Sequence, residues 1–140
     1  MVIVVAVDDR YGMTFNHRRL SQDRELRSHI LAVVIEKNRH LWMNAYTRNL
    51  FANLSPAEEE ILITDEDFLA KAPEGDFCYV ENVNVRPYEN RIEEVLLCQW
   101  NRRYPADTYW ELNMSEWSLL CSEEMAGSSH KTLTINHYRP

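Results

Sequence analysis

The chain has 140 residues, a length that fits one domain with a sizeable core and leaves little room for two. Acidic residues outnumber basic ones by 22 to 15, giving a net charge of −7, which disfavours nonspecific binding to the phosphate backbone of nucleic acid. The three cysteines are odd in number and widely spaced, so neither a disulfide framework nor a zinc site is expected. Reduced thiols and a cytoplasmic location are the plain interpretation.

The chain opens on the apolar run MVIVVAV. This run has no basic leader, is too short for the core of a signal peptide and leads directly into Asp8 and Asp9. Its β-branched residues predict a central strand over 2–7 that is covered on both faces. No other segment approaches the length of a membrane span, so no membrane association is expected.

A loop is predicted over 8–20 and a helix over 22–37, with Ser21 as the N-cap. Apolar residues at positions 26, 30, 33 and 34 define the buried stripe of this helix, and Asp23 lies on the same stripe. A carboxylate there costs free energy unless it is paired, protonated or used in chemistry. The helix dipole also stabilises an Asp in the first turn. The pattern therefore does not decide whether Asp23 is a functional acid or a helix cap.

The rest of the chain divides into two parts. Strands and short helices alternate in the first part, in the runs RHLWMN, AYTRNLFANL, SPAEEE, ILIT, DEDFLAKAP and DFCYVEN. Strand-like runs separated by turns follow from Arg91, namely RIEEVLLCQWN, DTYWEL, WSLLCSEE and KTLTINHYR. This order predicts an α/β fold in which helices flank a central mixed sheet with an antiparallel C-terminal hairpin, in a single domain over residues 1–140.

Other chemistries have weaker support. Asp8 and Asp9 at the end of the first strand could join Asp107 around a metal ion, which would suit a hydrolase or nuclease. The five histidines lack metal-ligand spacing, so no metal site is assigned. No serine stands in a Gly-x-Ser-x-Gly elbow, and no cysteine has a histidine near it in sequence, although distant residues can meet in a fold.

Four separated pieces of the sequence resemble dihydrofolate reductase. VIVVAVDDRYGM is similar to the family's first strand and the Gly-Met pair of its active-site loop, and LSQDRELRSHI is similar to its Leu-Pro-x-Asp segment, whose acid falls on Asp23. DTYWELNMSEWSLLCSEE and LTINHYR resemble the family's Gly-Asp-Thr-x-Phe-Pro, Trp-x-x-x-x-Ser-x-Glu and closing-strand patterns. LWMNAYTRNLF is a weaker match to the strand and helix that carry Met-Gly-Arg-x-Thr-Trp. The pieces follow the family's order and span nearly the whole chain.

This resemblance implies a dihydrofolate reductase-like fold and a reductase that transfers hydride from NADPH to a pterin-like substrate or another small heterocycle. It assigns Asp23 as the acid that handles the proton, in a ligand pocket beside it. Implied substrate contacts are Val4, Arg27 and Cys98, and implied cofactor contacts are Ala6, Thr47, Arg48 and Val80.

Several residues depart from the family's pattern. The Gly-Gly pair that admits the cofactor pyrophosphate is replaced by ENVNVRPY, which puts Glu81 near the phosphate position. Ala45 stands in place of the arginine that faces phosphate, so that Arg48 is the nearest substitute. A guanidinium beside Asp23 would also keep this acid ionised, which is the opposite of what proton delivery needs.

These departures support a second hypothesis, a non-catalytic protein that binds a ligand or partner on a reductase fold that has lost NADPH binding. Its recognition surface for an anionic ligand would consist of His17, Arg18, Arg19, Arg24 and Arg27.

Overall fold

A computed structural model describes residues 1–140 as ten strands, four α-helices and one 3₁₀ helix. The strands are β1 Val2–Val7, β2 Gly12–Phe15, β3 Arg18–Arg19, β4 Leu41–Met43, β5 Leu62–Thr64, β6 Phe77–Val80, β7 Glu94–Gln99, β8 Thr108–Tyr109, β9 Ser118–Met125 and β10 Leu133–Arg139. The helices are α1 Arg24–Glu36, α2 Ala45–Arg48, α3 Pro56–Ile61 and α4 Phe68–Lys71, with the 3₁₀ helix at Arg86–Arg91. None of the helices has the length and apolar character of a membrane span.

Seven strands form the central sheet in the order β5-β4-β6-β1-β7-β10-β9. β1 lies in the middle and pairs in parallel with β6 and β7, and β4 extends the parallel part from β6 to β5. β10 runs antiparallel to both β7 and β9, so the C-terminal strands form a hairpin at one edge. The prediction of an α/β fold with a mixed central sheet, flanking helices and an antiparallel C-terminal hairpin is therefore confirmed.

The alternation of side chains along β1 divides the core into two layers. Val2 and Val4 pack in one layer with residues of α1 such as Ile30. Ile3 and Val5 point to the other face and pack with α4 and with residues that flank the 3₁₀ helix. Because both faces of β1 are covered, nearly every residue of this strand is apolar and buried, as expected for a central parallel strand.

The loop prediction for residues 8–20 is wrong in part. This segment contains the hairpin of β2 and β3, which pairs with β8 in a separate three-stranded antiparallel sheet. Its turn residues, Asn16 and His17, have φ angles of 51° and 63°, as a two-residue hairpin turn requires. The strands are only four and two residues long, which is too short for an alternating pattern to be visible in the sequence.

The helix predicted over 22–37 is α1, but its predicted cap is wrong. Asp23 is the N-cap, with an extended backbone (φ −150°, ψ 123°), and its side chain accepts the N–H groups of Glu25 and Leu26. Ser21 lies two residues before the cap, and its hydroxyl contacts His130 and Tyr104 instead of the backbone of α1. The cap places the Asp23 carboxylate at the open end of α1, where it faces the hairpin of β9 and β10.

Candidate functional site

The Asp23 carboxylate is 1% exposed and accepts hydrogen bonds from two parts of the fold. On the α1 side, Oδ1 accepts the N–H groups of Glu25 at 3.0 Å and Leu26 at 3.2 Å. On the other side, the two oxygens accept the three successive backbone N–H groups of residues 128–130 at distances between 2.8 and 3.1 Å. One side chain therefore ties the start of α1 to the turn between β9 and β10.

The ring of His130 connects this carboxylate to two hydroxyl groups. Its Nδ1 lies 3.1 Å from Oδ2 of Asp23, and its Nε2 lies 3.1 Å from Oγ of Ser21 and 3.0 Å from the hydroxyl of Tyr104. The ring also stacks on Trp100, with centroids 4.7 Å apart and planes inclined by 21°. Because an ionised carboxylate can only accept, Nδ1 carries the proton, and Nε2 of the neutral ring is then the acceptor.

The turn can approach this closely because residue 127 is glycine. A Cβ atom on Gly127 would lie 2.5 Å from Oδ2 of Asp23 and 2.6 Å from the carbonyl oxygen of His130. No Cβ is tolerated at such distances, so the side chain of any other residue would push the turn away from α1.

The surroundings of Asp23 have opposing effects on its pKa. Burial raises the pKa, but hydrogen bonds from the backbone of Ser128 and Ser129 and from the ring of His130 outweigh this effect and hold it far below the ordinary value. Asp23 is therefore ionised throughout the neutral and mildly acidic range. Proton delivery to a substrate requires a raised pKa, so this environment disfavours the role that the resemblance implies for Asp23.

Two of the residues implied to contact a substrate, Val4 and Cys98, are buried in the core. Val4 and Cys98 face α1 but are 0% and 1% exposed, and burial raises the pKa of the Cys98 thiol to about 12. Tyr79, which is paired with Val4 in the sheet, is 2% exposed and packs into the same layer. None of the main surface clefts is lined by Val4, Cys98 or Asp23.

Three arginines between positions 18 and 27 lack a close carboxylate partner. Arg27 is half-buried and donates only to the side-chain oxygen of Gln22, at 3.3 Å. Arg24 is exposed and lies 3.8 Å from its neighbour Glu25, and Arg18 forms no ion pair. These guanidinium groups do not contact the Asp23 carboxylate, whose partners are N–H groups, a serine hydroxyl and the His130 ring.

The carboxyl end of β6, where the resemblance implies cofactor phosphates, is occupied by side chains that bind one another. Nε of Arg19 lies 2.8 Å from one oxygen of Glu81, and a second guanidinium nitrogen lies 3.0 Å from the other. Thr47, which is fully buried, donates its hydroxyl to Glu81 at 2.9 Å. The hydrogen bond to Glu81 raises the pKa of Arg19, whose guanidinium also lies 4.4 Å from the centre of the Tyr46 ring.

The other implied cofactor contacts do not form one surface. Arg48 donates to the carbonyl oxygen of Phe51 at 2.7 Å and to Glu59 at 2.8 Å, so each of its two terminal nitrogens has a protein partner. Val80 is fully buried and packs in the α4 layer, whereas Ala6 packs in the α1 layer on the opposite face of the sheet. Of the implied set, Thr47 contacts Glu81 at the occupied end of β6, and Val80 is the last residue of that strand with its side chain buried in the core.

The three aspartates proposed for a metal site do not converge. Asp8 is buried and accepts backbone N–H groups of Gly12 at 2.6 Å and Tyr104 at 3.0 Å, while Asp9 is exposed. Asp107 accepts a backbone N–H from the turn of the β2–β3 hairpin at 3.0 Å. No group of three or more His, Cys, Asp and Glu side chains is arranged to hold a metal ion.

The sequence pattern did not identify the partners of Asp23. His130 is separated from Asp23 by 107 positions and from Ser21 by 109, and Tyr104 is 26 positions before His130. Ser21 had a plausible local role as an N-cap, and no spacing links a serine, a tyrosine and a histidine that are so far apart. Only the folded chain brings them together.

Asp23→Asn is expected to lower the free energy of unfolding at pH 7 by at least about 2 kcal/mol, because an amide nitrogen cannot accept the N–H groups around it. The folded-state pKa of Asp23 lies below the ordinary 3.8, so its contribution is complete above that value and is lost as the pH falls towards the folded-state pKa. The difference from wild type should therefore be constant down to about pH 5 and shrink below about pH 4. Urea unfolding at several pH values measures it.

The matched control is Asp9→Asn, which removes an exposed carboxylate and should change the stability by less than about 0.5 kcal/mol. Equal stabilities for Asp23→Asn and Asp9→Asn at pH 7 would contradict the role assigned to the buried carboxylate.

No family model matches the chain, and no curated protein matches it. The resemblance to dihydrofolate reductase therefore rests on the quoted residues alone.

Proposed function

We propose that this chain is a dihydrofolate reductase-like protein that does not use NADPH and that binds a small anionic ligand. The observation that carries the proposal is the cluster of Arg19, Glu81 and Thr47, hereafter the Glu81 cluster, at the carboxyl end of β6. A cofactor phosphate at this end would need a cation, a hydroxyl or backbone N–H groups to bind it. The carboxylate of Glu81 already holds the cation and the hydroxyl.

Opening the Glu81 cluster for a phosphate would be costly. The two hydrogen bonds between Arg19 and Glu81 form a bidentate pair, and the Glu81 side chain is 9% exposed. Breaking this pair would leave a largely buried carboxylate without its cation and close to a phosphate of the same sign. Arg48, the substitute expected from the sequence, is held by Phe51 and by an ion pair with Glu59.

The lowered pKa of Asp23 also argues against reduction of a pterin by NADPH. A pterin reductase of this kind needs a source of protons beside the hydride acceptor. Asp23 is ionised and saturated with hydrogen bonds, and it therefore offers neither a proton nor a free acceptor to a substrate.

The arginines close to Asp23 in the sequence support an anionic ligand. Arg18, Arg24 and Arg27 are concentrated in ten residues of a chain whose net charge is −7, and none has a carboxylate partner closer than 3.8 Å. Guanidinium groups with unused donors bind carboxylates and phosphates well. Arg19 belongs to the same sequence cluster, but the Glu81 cluster already occupies it.

NADPH at about 1 mM is expected to leave the melting temperature of the protein unchanged within about 1 °C, because a ligand that does not bind the folded state cannot stabilise it. A fluorescence-based melting curve measures this directly. An increase of several degrees with NADPH would contradict the proposal. Denatured protein mixed with NADPH controls for effects of the cofactor on the dye.

Tripolyphosphate, as a simple anionic probe, is expected to bind the wild-type protein at low salt, and the double variant Arg24→Ala/Arg27→Ala should bind it at least about tenfold more weakly. Isothermal titration calorimetry measures both affinities. Arg86→Ala is the matched control because Arg86 is exposed on the 3₁₀ helix. Equal weakening by Arg86→Ala would show a nonspecific charge effect and would refute the arginine site.

A further inference from the structure

We propose that Ser21, His130 and Asp23 form a hydrolytic site for small carboxylic esters, with Ser21 as nucleophile, His130 as general base and Asp23 as the positioning residue. The three side chains form a continuous chain of contacts, with 3.1 Å between Ser21 Oγ and His130 Nε2 and 3.1 Å between His130 Nδ1 and Asp23 Oδ2. Both distances lie in the range that a nucleophile, its base and the group that orients the base require. This activity goes beyond the proposed binding function and does not depend on it.

The state of each group suits its role. Asp23 is buried and ionised, as the group that fixes the tautomer of the base has to be. His130 is 8% exposed and held between Trp100 and its hydrogen-bond partners, so its Nε2 has a fixed direction. Ser21 is half-buried, so that the nucleophile lies less deeply than His130 and Asp23.

Tyr104 supplies a donor for the negative charge that develops on the ester. Its hydroxyl lies 3.2 Å from Ser21 Oγ and 3.0 Å from His130 Nε2, within reach of a carbonyl oxygen that Ser21 attacks. The backbone N–H of Tyr104 donates to Asp8 at 3.0 Å, and this contact anchors the segment that carries the hydroxyl. A phenol in this place stabilises an oxyanion in the same way as other preorganised donors.

The reaction balances without a cofactor. Ser21 Oγ forms a bond to the carbonyl carbon while its proton passes to Nε2 of His130, and the carbonyl electron pair moves to the oxygen that faces Tyr104. The bond to the alcohol then breaks, and the departing oxygen takes the proton from His130. Water hydrolyses the acyl-serine by the same steps, with His130 accepting the water's proton and returning it to Ser21 Oγ.

The charge around the site indicates an anionic ester. A cleft of about 310 Å³ lies between segments 100–102 and 129–132, and His130 is the one member of the proposed site that lines it. Arg102 and Lys131 line it and no acidic residue does, while Trp100 is its only apolar residue. An acyl group that carries a carboxylate would be favoured over a neutral acyl group of the same size.

Covalent labelling tests the proposal. A fluorophosphonate probe should modify the wild-type chain at Ser21, as located by mass spectrometry of peptides, and 4-nitrophenyl acetate should release an initial burst of 4-nitrophenol. Ser21→Ala should abolish both signals and retain a cooperative melting curve. The matched control is Ser122→Ala, an exposed serine of β9, which should leave both signals unchanged. Absence of label from Ser21, or an unchanged burst in Ser21→Ala, would overturn the proposal.

Two further variants separate catalysis from stability. His130→Gln should lower the acylation rate at least about 100-fold, and Tyr104→Phe, which removes only the hydroxyl, should lower it about 100-fold with little change in melting temperature. An unchanged rate in Tyr104→Phe would refute its role as an oxyanion donor.

The variant Ser21→Cys tests whether His130 activates a nucleophile at position 21 without the use of an ester. The introduced thiol should react with iodoacetamide several times faster than Cys121, the exposed native thiol that serves as an internal reference. Adding His130→Gln should remove this difference. Equal rates for the two thiols in Ser21→Cys would show that His130 does not activate position 21 and would contradict the proposal.

Binding of tripolyphosphate and labelling of Ser21 are separate measurements. Loss of the first with retention of the second would refute only the proposed binding function. Loss of the second with retention of the first would refute only the hydrolytic site.

The preference for an anionic acyl group is tested with mono-4-nitrophenyl glutarate. Its rate advantage over 4-nitrophenyl acetate should disappear in the double variant Arg102→Ala/Lys131→Ala. A preference that survives in this variant would refute the role of these cations.

Discussion

The carboxylate of Asp23 joins parts of the chain that no strand pairing connects. It caps α1 and accepts three successive N–H groups of the turn between β9 and β10, so the first helix and the C-terminal hairpin meet at one side chain. The carboxylate loses its hydration there and remains ionised only because these donors replace water. Gly127 is part of the same constraint, since any Cβ at that position would collide with the acid.

This constraint determines what chemistry the end of α1 can perform. An acid held in its charged form is poorly suited to protonate a substrate, yet it is well suited to orient an imidazole. The resemblance implies cofactor phosphates at the carboxyl end of β6. There, Glu81 forms an ion pair with Arg19 and accepts a hydrogen bond from the hydroxyl of Thr47. Side chains at both places thus satisfy one another's hydrogen bonds, which supports the proposal of a binding protein that does not use NADPH.

Local patterns predicted the fold well. Apolar β-branched runs located the parallel strands, helical spacing located α1, and the change of pattern after Arg91 indicated the antiparallel end. The sequence did not reveal the hairpin of β2 and β3, because its strands are too short to show an alternating pattern and its turn depends on positive φ angles. The site was less predictable. Asp23 was recognisable as an anomaly, but its partner His130 lies 107 positions away, and a contact at that separation leaves no spacing to detect.

The ionisation of Asp23 is the central claim, and NMR measures it most directly. The carboxyl ¹³C shift of Asp23, followed from pH 7 to about pH 3, should not titrate, because the ordinary value of 3.8 is strongly lowered. In the same protein, the ¹⁵N shifts of the neutral His130 ring should show the proton on Nδ1. A carboxyl that titrates near 3.8 or above, or a neutral ring protonated on Nε2, would contradict both the anchoring role of Asp23 and the hydrolytic site built on it.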